Sequence, residues 1–600
     1  MKTIARAHLS LTFFAILATL GVLCLYASAA HSLPTSLSKM YLVSVAGYFA
    51  GCVFAVNLAL LPTRLSKYTS WLAPCLLWVW LLYLLANYGV FHLYKHHVSL
   101  LLFKAYITTP DDIGVPIFLQ IAAALLAGLL GVIIYYINRL TYRTTHRQYW
   151  VMVGILTLII PTFAFNSVTH IWASHYSREE ITTIDSLFPL YHPVTSHKNA
   201  PKISAAFPSI YPPIAGQQSE FASGDKDAII YPIEPIHCEP LSAPPSILFV
   251  VLESWQQDSV RPEIMPNLCS FAECATQFDQ HLSGGASTVP GLFSLMFGLH
   301  PSYHDRFKGA MQTNPSVFTE TLHKQGYRSR VYTTTNLDRF SLRPLFFSRT
   351  KEEDLFRGKN DQEVIDKYLA TFNEPQDKQT PRFDFLFLTS SHSPYVYPKE
   401  FSRFQPLPLV EGGFALYSSA DAKPYKNDYH NSLYYTDSLM KLIFDKLKSE
   451  GRMENTWVVV TGDHAEEFNE NGQGYWGHGS NFSRWQTHVP MVVHAPGQTT
   501  KAVESKLSLH QDVVPTLMAE ALGCRSPMEH YSNGAHLLKL PQERGTVLSS
   551  YFTKAYFIDG VILENSTGDS YRWNNMKESE SSPNMAELKQ VMAEEQHFLR

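Results

Sequence analysis

The chain has 600 residues, a formal net charge of -4, and 46% hydrophobic against 17% charged residues. That length exceeds one ordinary domain. The near-neutral balance excludes a chain-wide basic field, so no nucleic-acid partner is expected. Apolar residues concentrate in the first third, and the remainder mixes polar and apolar residues as a soluble domain does.

Five apolar stretches, roughly 9–30, 41–62, 70–93, 115–137 and 150–173, are each long enough to cross a bilayer, which takes about 20 residues. The first, preceded by Lys2 and Arg6, has the flank of a signal peptide, but four more spans follow closely and it reads as a retained helix. Lys2 and Arg6, then Arg64 and Lys67, then Arg139, Arg143 and Arg147 all fall on one side of the membrane, with Lys95 and Lys104 as a weaker counter-signal on the other. The positive-inside rule makes the first side cytoplasmic. Five crossings then place the N-terminus in the cytoplasm and everything after about residue 174 outside, in the periplasm if the cell is Gram-negative. Pro161, Asn166 and His170 near the fifth span mark either a lipid or partner site or an interfacial helix end. Cys24, Cys52 and Cys75 lie within spans and read as small buried residues. Cys238, Cys269, Cys274 and Cys524 lie in the exported part, where oxidising conditions permit disulfides, but their spacing fixes no pairing.

Residues 1–173 are thus read as a membrane domain, 174–244 as a Pro-rich linker carrying short helices, and 245–600 as the exported domain. At Ile247–Leu252 the pattern becomes a continuous apolar run, the mark of a strand buried on both faces. Further strands are predicted at 329–334, 383–388, 457–461 and 490–493, with helices at 317–325, 434–447 and 513–522 between them. This alternation predicts an α/β sandwich on a mostly parallel sheet, whose ligands favour the loops beyond the strand carboxyl ends.

Three strand exits carry chemistry. Glu253 follows the first strand, Asp463 and His464 follow 457–461, and His392 lies in the polar turn after 383–388. Carboxylates with one imidazole can hold zinc, and a more oxygen-rich set also suits manganese. In the small-residue stretch from Ser283 to Gly291, Ser287 and Thr288 can each expose a hydroxyl at a helix start, where backbone amides favour an anion. A metal would activate that hydroxyl as a nucleophile. Taken singly, each residue also has an ordinary structural explanation: a helix cap for Glu253 or Thr288, a loop acid for Asp463, a turn histidine for His392. Glu466 and Glu467 fit a solvated helix start. His478, between Gly477 and Gly479, can contact a phosphate oxygen or protonate a leaving group.

Together these residues resemble the alkaline-phosphatase/sulfatase superfamily, especially its membrane-anchored lipoteichoic acid synthase and lipid A phosphoethanolamine transferase branches. The resemblance implies a divalent-metal site, zinc or manganese, made by Glu253, Thr288, Asp463 and His464. It makes Thr288 the covalent nucleophile and His392 and His478 substrate-contacting histidines. Spacing to Phe293 resembles the synthase pattern and favours Thr288, while counting from Gly285 points to Ser287. No CxPxR-like sulfatase motif surrounds either residue, so phosphoryl chemistry is expected rather than sulfate-ester hydrolysis.

The five spans followed by this domain, with Ser283–Gly298 and Tyr191–Thr195, also resemble the YejM/PbgA family of Gram-negative inner-membrane proteins. That resemblance implies a lipopolysaccharide-sensing regulator acting through an inner-membrane protein partner, or a cardiolipin-binding protein. The family's regulatory members have a degraded metal site, whereas this chain retains Glu253, Asp463 and His464. Two functions are therefore expected to compete. One is a membrane-bound metal-dependent hydrolase or transferase acting on the phosphorylated headgroup of a membrane phospholipid or lipopolysaccharide. The other is a non-enzymatic regulator.

Overall fold

The computed structural model describes the chain except residues 1, 29–34, 67, 95–96, 99–116, 177, 183, 197, 213–228, 305, 308–314, 339–341, 375–379, 410–419, 552, 565–569, 578–583 and 600. Lys67, Lys95, Lys104 and the first two residues of the expected fourth span lie outside the described residues.

Five helical segments are long and apolar enough to cross a membrane: Thr3–Ala27, Ser36–Leu65, Leu72–His92, Gln120–Thr141 and His146–His175. They correspond to helices α1 (Lys2–Ala27), α2 (Ser36–Leu60), α3 (Leu72–Tyr94), α4 (Ile117–Thr141) and the pair α5 (His146–Leu156) and α6 (Ile159–His175). The fifth span is broken at Thr157–Leu158. Pro161, four residues on from Thr157, has no N–H to donate to that carbonyl, and proline interrupts a helix in this way. Helix α4 turns Leu125, Leu129 and Val132 outward, as a lipid-facing helix requires. Cys24, Cys52 and Cys75 are exposed on the bundle surface rather than buried, an ordinary position for an apolar thiol against lipid.

Polar residues of the second and fifth spans pair with the segment that follows the bundle. Asn166 donates to Ser44 Oγ at 3.1 Å and to the Tyr191 hydroxyl at 2.7 Å. His170 meets Asp185 Oδ2 at 2.8 Å, and the Tyr41 hydroxyl donates to Asp185 Oδ1 at 2.8 Å. Ile181, Ile184, Phe188, Tyr191, Ala200 and Tyr211 bury against Tyr26, Tyr41 and Trp172. The described residues just after the fifth span therefore pack on the bundle. Asn166 and His170 are committed to this network rather than presented as a lipid or partner site.

The exported domain is built on an eight-stranded sheet of order β10-β2-β9-β6-β1-β5-β3-β4. The strands are β1 (Ser246–Leu252), β2 (Thr276–Leu282), β3 (Arg328–Thr333), β4 (Leu355–Arg357), β5 (Arg382–Leu388), β6 (Thr456–Gly462), β9 (Met491–His494) and β10 (Ala502–Leu509), with β7 (Glu467–Phe468) and β8 (Trp476–Gly477) forming a separate hairpin. All neighbours are parallel except the two pairs that β9 makes, with β2 and β6. Side chains alternate along β1. Ile247, Phe249 and Val251 enter one core with α7 (Thr288–Phe297), whereas Leu248, Val250 and Leu252 enter the other with α8 (Ala422–Ser449). Both faces are covered by helices, the condition for a largely parallel sheet.

A second, antiparallel sheet follows, with β11 (Thr546–Ser549), β12 (Lys554–Ile558), β13 (Val561–Glu564) and β14 (Ser570–Arg572) in that order. Cys238 and Cys524 are disulfide-bonded across 286 residues of sequence, a pairing that spacing left open. Cys269 and Cys274 are free.

Candidate metal centre

Strands β6, β1 and β5 are adjacent in the sheet, and their carboxyl ends lie in register: Leu252 pairs with Gly462 on one side and Leu388 on the other. The ladder runs one rung further. The Glu253 N–H donates to the Leu388 carbonyl at 2.9 Å and the Asp463 N–H to the Leu252 carbonyl at 3.1 Å. Glu253 and Asp463 are thus the first residues past two neighbouring strands. The backbone kinks immediately afterwards. Ser254 adopts φ 58°, a conformation that non-glycine residues rarely take unless the surroundings impose it. Here its N–H donates to Asp463 Oδ1 at 2.9 Å, and its carbonyl accepts the Tyr429 hydroxyl of α8 at 2.8 Å.

One ligand atom from each of Glu253, Asp463 and His464 lies within 4.8 Å of the others, and all three residues are buried. His464 Nε2 is 3.1 Å from Glu253 Oε1 and 3.5 Å from Asp463 Oδ2, while its Nδ1 lies 3.0 Å from the Ala465 carbonyl. That carbonyl accepts only, so Nδ1 carries its proton, and a neutral ring would turn a lone pair on Nε2 toward a carboxylate. The close approach of these acceptors calls for a shared proton or a cation among the three groups. Asp463 Oδ2 is buried with no hydrogen-bond partner, an uncompensated position for a carboxylate oxygen. Two carboxylates, one imidazole and that orphaned oxygen fit a divalent cation, and the donor set does not choose between zinc and manganese.

The electrostatics agree. Burial pushes the Glu253 carboxyl up, but the His464 hydrogen bond and the nearby His392, His464 and His478 outweigh it and hold the group below its ordinary range. Asp463 is raised, first by burial and then by the charge of Glu253. One carboxylate keeps its charge at the other's expense, as expected for close like charges without a cation.

Thr288 begins α7, and its hydroxyl donates to Glu253 Oε1 at 3.1 Å and lies 3.5 Å from His464 Nε2. Ser287 caps the same helix without a side-chain cap bond, and its buried Oγ has no hydrogen-bond partner. A Cβ on Gly479 would stand 3.0 Å from that Oγ. The two candidate hydroxyls therefore have different surroundings, and Thr288 is the one beside the carboxylates. Helix α7 sits tightly: a Cβ on Gly291 would fall 2.0 Å from the Asp463 carbonyl oxygen, so only glycine permits this approach.

His392 is carried by a turn in which Asp361 accepts the backbone N–H groups of Thr389 at 3.0 Å and Ser390 at 2.8 Å. Its ring centroid is 5.5 Å from that of His478, which is 4.2 Å from that of His464. Burial lowers the His392 imidazole, with the charge of Glu253 opposing. All the residues singled out from the sequence gather at one end of the sheet.

Glu466 and Glu467 are not a solvated helix start, being 3% and 0% exposed. Glu467 accepts from Asn481 at 2.7 Å and Gln486 at 2.8 Å. Glu466 Oε2 lies 2.7 Å from His478 Nδ1 and its Oε1 accepts the Tyr395 hydroxyl at 3.1 Å. The pairing leaves Nε2 of His478 as the second ring nitrogen. Glu466 is a residue sequence reasoning missed; its one signal was an acidic pair where a strand exit already carried Asp463 and His464.

Residues 245–523 match the sulfatase family, and residues 2–238 match a domain of unknown function (DUF3413). An uncharacterized protein of Haemophilus influenzae is 26% identical over 409 residues, covering 68% of this chain and 62% of the relative, so the match spans under two thirds of that protein. The inner membrane protein YejM of Salmonella typhimurium is 22% identical over 445 residues, 73% of this chain and 69% of that protein. Among solved structures, an alkaline phosphatase superfamily protein from Vibrio parahaemolyticus matches with a TM-score of 0.47 at 16% identity, over 60% of this chain and 88% of that one. The lipoteichoic acid synthase LtaP from Listeria monocytogenes matches with a TM-score of 0.45 at 17% identity, over 60% and 94%.

Proposed function

We propose that this YejM-like inner-membrane chain, whose C-terminal domain is of the alkaline-phosphatase/sulfatase type, is a metal-dependent transferase or hydrolase. Its substrate class is the phosphorylated headgroup of a membrane lipid or lipopolysaccharide. The observation that carries the reading is the Thr288 hydroxyl, 3.1 Å from Glu253 at a helix start, beside a buried Glu253–Asp463–His464 cluster. The hairpin that leads into His478 adds a location. Strand β8 packs against the membrane-spanning helix α3, so the site abuts the bundle and a donor held in the outer face of the membrane is within reach. In this proposal the N-terminus is cytoplasmic and the C-terminal domain periplasmic, which the distribution of Lys and Arg between the spans supports.

Glu253, Asp463 and His464 would hold a divalent cation, zinc or manganese, which supplies positive charge to the phosphoryl oxygens and lowers the pKa of a neighbouring hydroxyl. Thr288 Oγ1 forms a bond to phosphorus as the bond to the donor's leaving oxygen breaks. The leaving oxygen takes a proton from His478 or His392, and the proton lost by Thr288 restores that histidine. In the second half an acceptor hydroxyl displaces Thr288, which regains a proton. Water as acceptor makes the protein a hydrolase, and an alcohol or glycan makes it a transferase. The helix start at Thr288 directs backbone N–H groups toward the incoming anion, and Glu466 fixes the orientation of His478.

The test is elemental analysis of the full-length protein in native-like lipid, beside a Glu253→Ala, Asp463→Ala double substitution. Mass spectrometry would look for phospho-Thr288 after incubation with phosphoethanolamine and phosphoglycerol lipids. About one metal per chain, lost in the variant, with a phosphorylated Thr288 is expected. No metal after reloading and no modified threonine would sink the proposal. It would favour a lipopolysaccharide-sensing regulator with an inner-membrane protein partner, the reading supported by similarity to YejM across both halves of the chain.

A further inference from the structure

The second sheet, β11 to β14, lies beyond residue 523, where the sulfatase match ends. Its first strand is stitched to the loop that precedes Thr288. The Ala286 N–H donates to the Ser549 carbonyl at 3.0 Å, and the Ser549 N–H donates to the Gly284 carbonyl at 3.1 Å. A Cβ on Gly285 would fall 1.8 Å from the Ser549 carbonyl oxygen, with backbone as the obstacle. Two residues after Ser549, Tyr551 reaches the site: its phenol is hydrogen-bonded to the Thr288 side chain and to the Val289 backbone, and it lies in the field of Glu253 and Asp463.

The donors can be counted. The Thr288 hydroxyl spends its proton on Glu253 Oε1, so toward Tyr551 it can only accept. The phenol oxygen accepts the Val289 N–H, and with the Thr288 proton committed to Glu253 the phenol's own proton is the one left for the Thr288 oxygen. The chain of donation runs from Val289 N–H to Tyr551, to Thr288 Oγ1, to Glu253. We propose that Tyr551, supplied by the C-terminal sheet, is a further catalytic residue: it touches the reacting oxygen, fixes its rotamer, and donates to it as negative charge develops there. No bond to Tyr551 forms or breaks. The assignment rests on the transferase reading above and adds a residue from outside the matched region to it.

The experiment uses full-length protein in lipid, loaded with zinc or manganese, with bis(p-nitrophenyl) phosphate for turnover and inorganic phosphate for binding. A hydrogen bond to a charged oxygen is worth enough to change a rate about 10–100-fold. Tyr551→Phe is therefore expected to lower kcat by about that factor, with KM within about threefold, and to weaken phosphate binding at unchanged metal content and melting temperature. Turnover within twofold of wild type would overturn the role of Tyr551 while leaving the transferase reading intact. A Tyr551→Phe protein that loses metal or its cooperative melting would show the tyrosine to be structural and overturn the assignment. A wild-type protein that neither turns over the ester nor binds phosphate would remove the transferase reading, and this role with it.

Discussion

Gly291→Ala is the substitution in which two physical effects oppose each other most cleanly. Gly291 lies inside α7, and in an unobstructed helix alanine is favoured over glycine by about 1 kcal/mol. Here the added methyl would stand 2.0 Å from the Asp463 carbonyl oxygen and 2.9 Å from its carbon. Carbon and carbonyl oxygen approach comfortably to about 3.3 Å, so helix and strand end must part by about 1 Å. Overpacking of that kind costs about 1–3 kcal/mol, and the obstacle is backbone, which gives little. Set against the helix gain, a net loss of up to about 2 kcal/mol is expected. The same displacement moves Thr288 relative to Asp463, and a 1 Å misplacement costs about 100-fold in rate. Urea melts and zinc competition against a chelator would be run on wild type, Gly291→Ala and Gly128→Ala. The last has open space around its Cβ position in α4 and serves as the unobstructed control. A Gly291→Ala protein that melts later than wild type and binds zinc as tightly would refute the reasoning.

Three more outcomes follow from the site and its surroundings. Glu466→Ala should retain stoichiometric metal but lose turnover by about 10–100-fold, as second-layer partners of a site do, with Glu466→Gln recovering most of it; equal activity in all three proteins would show that the His478 pairing is incidental. Breaking Cys238–Cys524, which closes 286 residues of sequence, should cost about 3–5 kcal/mol, read as the difference in urea midpoint between Cys524→Ser and wild type; unchanged midpoints would place the stabilisation elsewhere. Burial lowers His300 and His488 from 6.5 to about 4. The unfolded chain therefore binds more protons between those values, and their stabilisation is complete above pH 6.5 and lost as pH falls toward 4. At about 1.4 kcal/mol per pH unit, each contributes up to about 3 kcal/mol. Urea midpoints taken from pH 7 to 4 should fall across that window, and less steeply in His300→Gln; a flat profile would contradict the assignment.

Much of this was legible because burial writes itself into composition. Apart from Asp384 and Thr461, Ile247–Leu252, Phe383–Leu388 and Trp457–Thr461 are apolar on both faces, as strands buried on both faces are. Polar groups just past them stood out against that background. Strands β2 and β10 were missed for the converse reason: Gln277, Asp279, Glu504 and Lys506 interrupt them, since these strands lie toward an edge of the sheet and are partly solvated. The pairing of Glu466 with His478 was hidden because nothing local links them; a hairpin turn brings them together. Tyr551 was hidden more deeply still, being placed by backbone bonds between segments more than 260 residues apart. Asn166 and His170 stayed open between a site and a helix end, because the partners that engage them lie in other segments that no local pattern links to the fifth span.

Because Glu253 and Asp463 are the next rung of the β1–β6 ladder, the separation of the two carboxylates is counted in residues rather than shaped by a loop. Deleting one residue from either strand would not loosen the site. It would exchange a ligand for its neighbour, bringing Ser254 to the place of Glu253 or His464 to the place of Asp463, while inverting that strand's two faces. Insertions and deletions in this part of the chain are therefore all-or-none events, and variation in what the site accepts is confined to the elements that approach it from outside the sheet.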